Sequence, residues 1–185
     1  MQNIEFLMSR FSSGKLRAPA PKGEVLQNML VAAQRVPDHA QLKPWRFIVI
    51  AEPQREKLGN VFVQALRQKG DPTSEDIARA QAQPLRAPLI IAVVASLTEN
   101  AKVPVIEQQL SAGCAAYAIL LAAQAQGFGG MWRTGAMAYD AVVKKGLGLA
   151  VNEEITGFLY LGTPEINSKS IAPIDVLQKV TFWQG

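Results

Sequence analysis

Histidine and cysteine each occur once in this chain of 185 residues, as His39 and Cys114. A zinc site would have to rely on scattered carboxylates, without the clustered His and Cys spacing such sites use, so no metal is expected. One cysteine cannot form an internal disulfide. Long hydrophobic runs are also missing. The longest, "AGCAAYAILLAA" at Ala112–Ala123, falls well short of the roughly 20 apolar residues a membrane span needs. P-loops and nucleophile elbows do not occur, and "GFGG" at Gly127–Gly130 follows a helical pattern instead of a strand, the wrong order for a dinucleotide loop. No block of one charge stands out: 19 basic and 15 acidic residues leave a thin net charge of +4. That balance favours small anions mildly and gives no track for a nucleic-acid backbone. The opening "MQNIEFLMSRF" lacks the zones of a signal peptide, so a reducing cytoplasm is the expected compartment, with no membrane partner.

What the chain does have is apolar substance. Hydrophobic residues at 49% and charged residues at 18% describe one globular domain over residues 1–185. Ile4–Met8 and the stretch from Glu24 to Arg35 read as helices, the second carrying Val25, Met29, Ala32 and Val36 at helical spacing and ending at Pro37. "RFIVIA" at Arg46–Ala51 and "APLIIAVVAS" at Ala87–Ser96 read as strands buried on both faces. Between them, Leu58, Val61, Phe62, Ala65 and Leu66 mark a helix opened by Pro53 and stopped by Gly70. "DPTSEDIARAQAQP" adds a short capped surface helix. Val105–Gln126 is a long helix, rich in Ala and Gly, that should be enclosed by protein. "GMWRTG" and Glu154–Pro164 follow as strands with the short helix "AYDAVVKKGLGL" between them, and "VLQKVTFW" near the C-terminus reads as an edge strand. The sum is a mixed α/β domain with about five strands and a sheet covered on both sides.

Three short stretches carry polar chemistry. "RVPDHAQLKPWRF", Arg35–Phe47, holds the single histidine. Asp38 and His39 are adjacent, and neighbours on an extended chain point apart, so neither readily orients the other as a hydrolase pair needs; Asp38 suits a turn, and a lone His39 is more often a surface or structural residue than a site residue. "SRFSSGKLRAP", Ser9–Pro19, interleaves Arg10, Lys15 and Arg17 with hydroxyls. It is either a solvated connection or an anion-binding loop, since arginine forks and serine hydroxyls match phosphate oxygens. "MWRTG", Met131–Gly135, sets a flat aromatic beside donors and a glycine, a core residue by default and also a wall for a ring-shaped cofactor.

Together these stretches resemble the FMN-dependent nitroreductases, most closely the compact YdjA-type subgroup. "SRFSSGKL" is similar to that family's Arg-Arg-Ser opening, "RVPDHAQLKPWRFIVI" to its Pro-Trp segment, and "QGFGGMWRTGA" and "GFLYLGTP" to its later blocks, over essentially the whole chain. The resemblance implies an α+β fold, a mostly antiparallel central sheet flanked by helices, in a homodimer with two shared FMN sites. It implies that Arg10, Phe11 and Ser12 hold the FMN phosphate and ribityl chain, that Arg35 and His39 reach the flavin from the partner subunit, and that Trp132, Arg133 and Thr134 line it on the first subunit. Lys169 is a further candidate for the phosphate. Phe11 replaces a frequent second arginine, and Lys43 stands where glutamine usually precedes Pro-Trp. The flavin would carry the chemistry without a catalytic side chain, taking hydride from NADH or NADPH and passing electrons to a nitroaromatic, quinone or similar small-molecule acceptor. The alternatives are a specialised flavin-dependent dehydrogenase or flavin-handling enzyme, and a non-catalytic FMN-binding dimer.

Overall fold

Every position of "LIIAVVAS" is apolar or small, a pattern that suits a strand with protein on both faces. In the structure, a computed structural model describing residues 3–99, 102–166 and 175–185, it forms β3 (Leu89–Ser96) in the middle of an antiparallel sheet. β2 (Trp45–Ile50) lies along one edge of β3 and β5 (Glu153–Pro164) along the other. β4 (Gly129–Arg133) pairs with the free side of β5, and the two-residue β1 (Leu16–Arg17) joins its far end at Thr163 and Pro164.

The two-residue period of a strand then builds two cores. Leu89, Ile91, Val93 and Ala95 pack with α2 (Glu24–Ala33) and α5 (Val105–Ala125), while Ile90 and Ala92 pack with α3 (Gln54–Lys69). The second face is completed by α4 (Ser74–Ala82), α6 (Gly135–Tyr139) and α7 (Ala141–Gly146), which contribute Ala80, Ala138 and Val143. Thr73 and Asp76 close a capping box at the start of α4, as the sequence pattern predicts. One irregularity matters below. Val93 faces Gly157 and Val94 faces Ile155, so Thr156 is an extra residue bulging from β5.

At one end of the sheet Arg46 and Glu153 lock β2 to β5. The guanidinium donates to both carboxylate oxygens, at 2.6 and 2.7 Å, and Ser96 Oγ and the Ala150 amide donate to the same carboxylate, each at 2.9 Å. The hydrogen bond from Arg46 is the main cause that holds the Glu153 carboxyl down at about 2.

Three expectations are corrected. α2 ends at Ala33, short of Pro37. "VLQKVTFW" is no strand: Val176–Lys179 form a single 3-10 turn, and every residue from 175 to 185 is exposed, so no sheet face rewards its weak alternation. The fifth strand is β1, too short to leave a periodic signal. Finally, α5 is enclosed on one side only. Its inner face buries Ala112, Ala115, Ala116, Ile119 and Ala123 against the sheet, small residues that let helix and strands approach closely. The outer face leaves Ile106, Leu110, Cys114 and Tyr117 exposed within the chain. The helix is long and apolar enough to cross a membrane by length and composition, yet that inner face is the core of the domain.

Candidate functional site

β4 is an edge strand, and the polar loop after α1 (Asn3–Met8) is laid against its open side. Gly127, in the left-handed region at φ 81°, ends the α5 segment and lets the chain reverse. Glycines at 129 and 130 then allow close approach: a Cβ on Gly129 would lie 3.1 Å from Ser13 Cβ, and one on Gly130 would lie 2.5 Å from Leu120 Cδ2. The Ser13 amide donates to the Gly130 carbonyl at 3.0 Å, so this carbonyl points away from β5. In an antiparallel strand the outward backbone groups recur at every second residue. The amide and carbonyl of Trp132 therefore face the same open edge.

Beside that edge, Phe11, Ser12, Ser13, Gly14 and Lys15 line a recess of about 240 Å³ with Ile166. Arg10 enters the loop half-buried, its amide donating to Leu7 O at 3.4 Å. Arg10, Phe11 and Ser12 are thus consecutive residues of one loop tied to β4 through Ser13. Lys169 lies outside the described residues.

Trp132 and Arg133 part company. Adjacent on a strand, their side chains leave opposite faces of the sheet. The Trp132 indole packs on the α5 side, where a Cβ on Gly113 would lie 3.7 Å from its ring, and its Nε1 donates to Thr156 O at 3.3 Å. The bulge at Thr156 releases that carbonyl from the ladder, and Gly157 makes the room: a Cβ there would lie 2.0 Å from Trp132 Nε1. Arg133 turns to the α3 side, its guanidinium 5.5 Å from the centre of the Tyr160 ring, and its buried Nε has no hydrogen-bond partner among the described residues. Burial raises the Tyr160 phenol to about 12, with Arg133 and Arg86 opposing the rise. By the same alternation the Arg133 amide and carbonyl turn toward Phe158 of β5, away from the open edge. Thr134 stands just before α6 without capping it, and Gly135 follows at φ 62°.

On the α5 side a groove of about 670 Å³ brings Arg35, Val36 and Pro37 together with Gly113, Tyr117 and Trp132. Arg35 and Trp132 therefore do meet. His39 lies in the next turn, in a loop of uncommon backbone: Ala40, Gln41 and Lys43 have φ of 59°, 53° and 49°, a concentration of left-handed residues typical of binding loops. Asp38 Oδ2 accepts the Lys43 amide at 2.7 Å, which makes Asp38 the turn residue its sequence suggests. His39 Nδ1 lies 2.6 Å from Glu107 Oε2, and Ser111 Oγ donates to Pro37 O at 2.9 Å. Sequence reasoning passed over Glu107 and Ser111. Their signal was slight, two polar residues four apart within the mixed polar start of α5.

The donor set suits a phosphorylated planar group: serine hydroxyls and a lysine at the recess with an arginine next in the chain, then an open strand edge with one amide and one carbonyl, then an aromatic wall. The sequence pattern of the nitroreductase family matches residues 7–163, most of the chain. The chain belongs to the nitroreductase family. YdjA of Escherichia coli K12, provisionally named an NAD(P)H nitroreductase, is 46% identical over 184 residues, covering 99% of this chain and 100% of YdjA. Among solved structures, a nitroreductase-like family protein from Bacillus cereus matches with a TM-score of 0.86 at 21% identity, covering 100% of this chain and 97% of that one. A nitroreductase of provisional name from Desulfovibrio desulfuricans, solved in complex with FMN, matches with a TM-score of 0.74 at 19% identity, covering 100% and 99%. These two likenesses establish the nitroreductase-like fold.

Proposed function

We propose that this nitroreductase-family chain is an FMN-dependent NAD(P)H oxidoreductase that works as a homodimer and reduces a nitroaromatic, quinone or similar conjugated acceptor. The observation that carries the reading is the Arg10–Lys15 loop laid against the open edge of β4, a phosphate-type donor set beside a strand edge free to hydrogen-bond a planar ring. The name of the Escherichia coli relative and the FMN bound by the Desulfovibrio protein point the same way. Bound FMN would accept hydride from the nicotinamide and return electrons to the acceptor.

The chain's own residues have simpler tasks. Arg10, with Ser12 and Lys15, would hold the phosphate, the arginine as a fork and the serine as a hydroxyl donor. Phe11 would shield the ribityl chain. The Trp132 amide and carbonyl and the backbone of Thr134 would hydrogen-bond the ring edge, where preorganised donors stabilise added negative charge. Arg35, which lines the groove, and the exposed His39 in the next turn would serve the partner's site. For the dimer, the support is the outer face of α5: Ile106, Leu110 and Tyr117 are exposed large apolar residues along one helix side, and Val31 adds another from α2.

The absorption spectrum of the purified protein tests the reading. The protein should be yellow or take up added FMN, bleach under NADH or NADPH without oxygen, and regain colour when a para-quinone or nitroaromatic is added. A yellow protein that neither nicotinamide bleaches is a flavin binder and not this enzyme. A colourless protein that refuses FMN refutes the cofactor itself.

A further inference from the structure

The Pro37–Lys43 loop is held to α5 at two successive turns of the helix. Ser111, whose hydroxyl donates to the Pro37 carbonyl, is buried, and Glu107 one turn earlier takes the His39 ring. Glu107 sits in the first turn of α5, where a carboxylate is favoured by the helix dipole. The His39 and Glu107 side chains are 55% and 43% exposed, and an exposed pair of this kind adds little to folding stability. Its consequence is geometric. An ionised carboxylate only accepts hydrogen bonds, so Nδ1 must carry the proton. In the neutral ring Nε2 is then a bare acceptor, the reverse of the tautomer a free imidazole prefers in water.

We propose that Glu107 is a positioning residue for His39: it fixes the ring's orientation and its Nδ1–H tautomer, and so presents Nε2 outward as the atom that meets the ligand in the partner's site. The inference rests on the shared-site reading above, and it adds to that reading which imidazole atom does the work and what aims it. Asp38 is already engaged with the Lys43 amide, and the backbone around the ring is left-handed at Ala40, Gln41 and Lys43. Glu107 is therefore the group that ties the imidazole to the rigid part of the fold.

Because His39 is the only histidine, its ring nitrogens can be read without ambiguity by long-range proton–nitrogen NMR on the flavin-loaded protein, followed across a pH series to the neutral ring. The wild type should show a protonated Nδ1 and a bare Nε2. Glu107→Ala should move the proton to Nε2 and lower kcat/KM for the acceptor on the order of tenfold, the worth of one directed hydrogen bond. Glu107→Gln, whose amide oxygen still accepts from Nδ1, should restore both. In a His39→Ala background, Glu107→Ala should change kcat/KM no further. A wild-type ring already protonated at Nε2 overturns the proposal, and so does a Glu107→Ala loss of equal size with and without His39. The tautomer is read whether or not NAD(P)H bleaches the flavin, so failure of the enzyme reading and failure of this one are distinct results.

Discussion

Replacing Glu153 with glutamine should weaken the fold by about 3 kcal/mol at neutral pH, and the loss should shrink in acid. The carboxyl is nearly buried and accepts from both nitrogens of the Arg46 fork, from Ser96 and from the Ala150 amide. A carboxyl whose pKa drops from 4.5 to about 2 on folding stabilises the folded state by roughly 3 kcal/mol wherever it is ionised in both states. Because folding lowers the pKa, that stabilisation is complete above 4.5 and drains away as the pH falls from there towards 2. At pH 3.5 roughly 2 kcal/mol of it should remain. Glutamine can still accept from Ser96 or Ala150, but it turns an amide nitrogen towards Arg46 and leaves that cation unpaired, so the loss at pH 7 should fall between about 2 and 4 kcal/mol.

Urea unfolding of wild type and variant at pH 7, 5 and 3.5 would measure it, with the protein concentration held constant so that any self-association contributes equally. The gap between the two proteins should be equal at pH 7 and 5 and narrower by roughly 1 kcal/mol at pH 3.5. A gap under about 1 kcal/mol at pH 7 would mean that Arg46 and Glu153 behave as an ordinary surface pair. A gap that does not change with pH would mean that glutamine fails for packing reasons and that the charge is irrelevant.

Three other outcomes follow from particular contacts. Gly157→Ala places a methyl carbon 2.0 Å from Trp132 Nε1 and 2.6 Å from its Cδ1, so the indole must leave its seat; unfolding midpoints should report a loss of about 1–3 kcal/mol, and FMN should dissociate faster. Leu110→Glu puts a charge on the apolar outer face of α5 and should shift sedimentation towards the monomer; an unchanged dissociation constant would remove that face from the interface. Mixing Arg10→Ala and His39→Ala protomers should restore activity to heterodimers, because one of two shared sites is then intact and the other doubly damaged. Verified heterodimers without recovered activity would place both residues in the same subunit's site.

The elements were legible where an apolar pattern ran for several residues, as in the continuous runs of β3 and α5 and the one-sided stripe of α3, and the α4 cap was legible because Thr73 and Asp76 stand three apart in the chain. What escaped depends on partners far away. Nothing within "EEITGF" announces a bulge at Thr156, since its purpose is to free a carbonyl for Trp132, 24 residues earlier, and Glu107 finds His39 across 68 residues. The same distance in sequence explains why "MWRTG", read as one wall, divides between two faces: a strand must alternate, and Arg133 is drawn to Tyr160 while Trp132 goes to α5. A family resemblance carries residues over position by position, and so it collects backbone and side-chain contributions under one name. The structure separates them. At the β4 edge the outward hydrogen-bonding groups belong to the backbone at Trp132, which makes the side chain at 133 free to serve packing. Substitution of Arg133 should therefore act mainly through the Tyr160 core, and substitution of Gly157, which touches no ligand in this reading, should reach the flavin by moving Trp132.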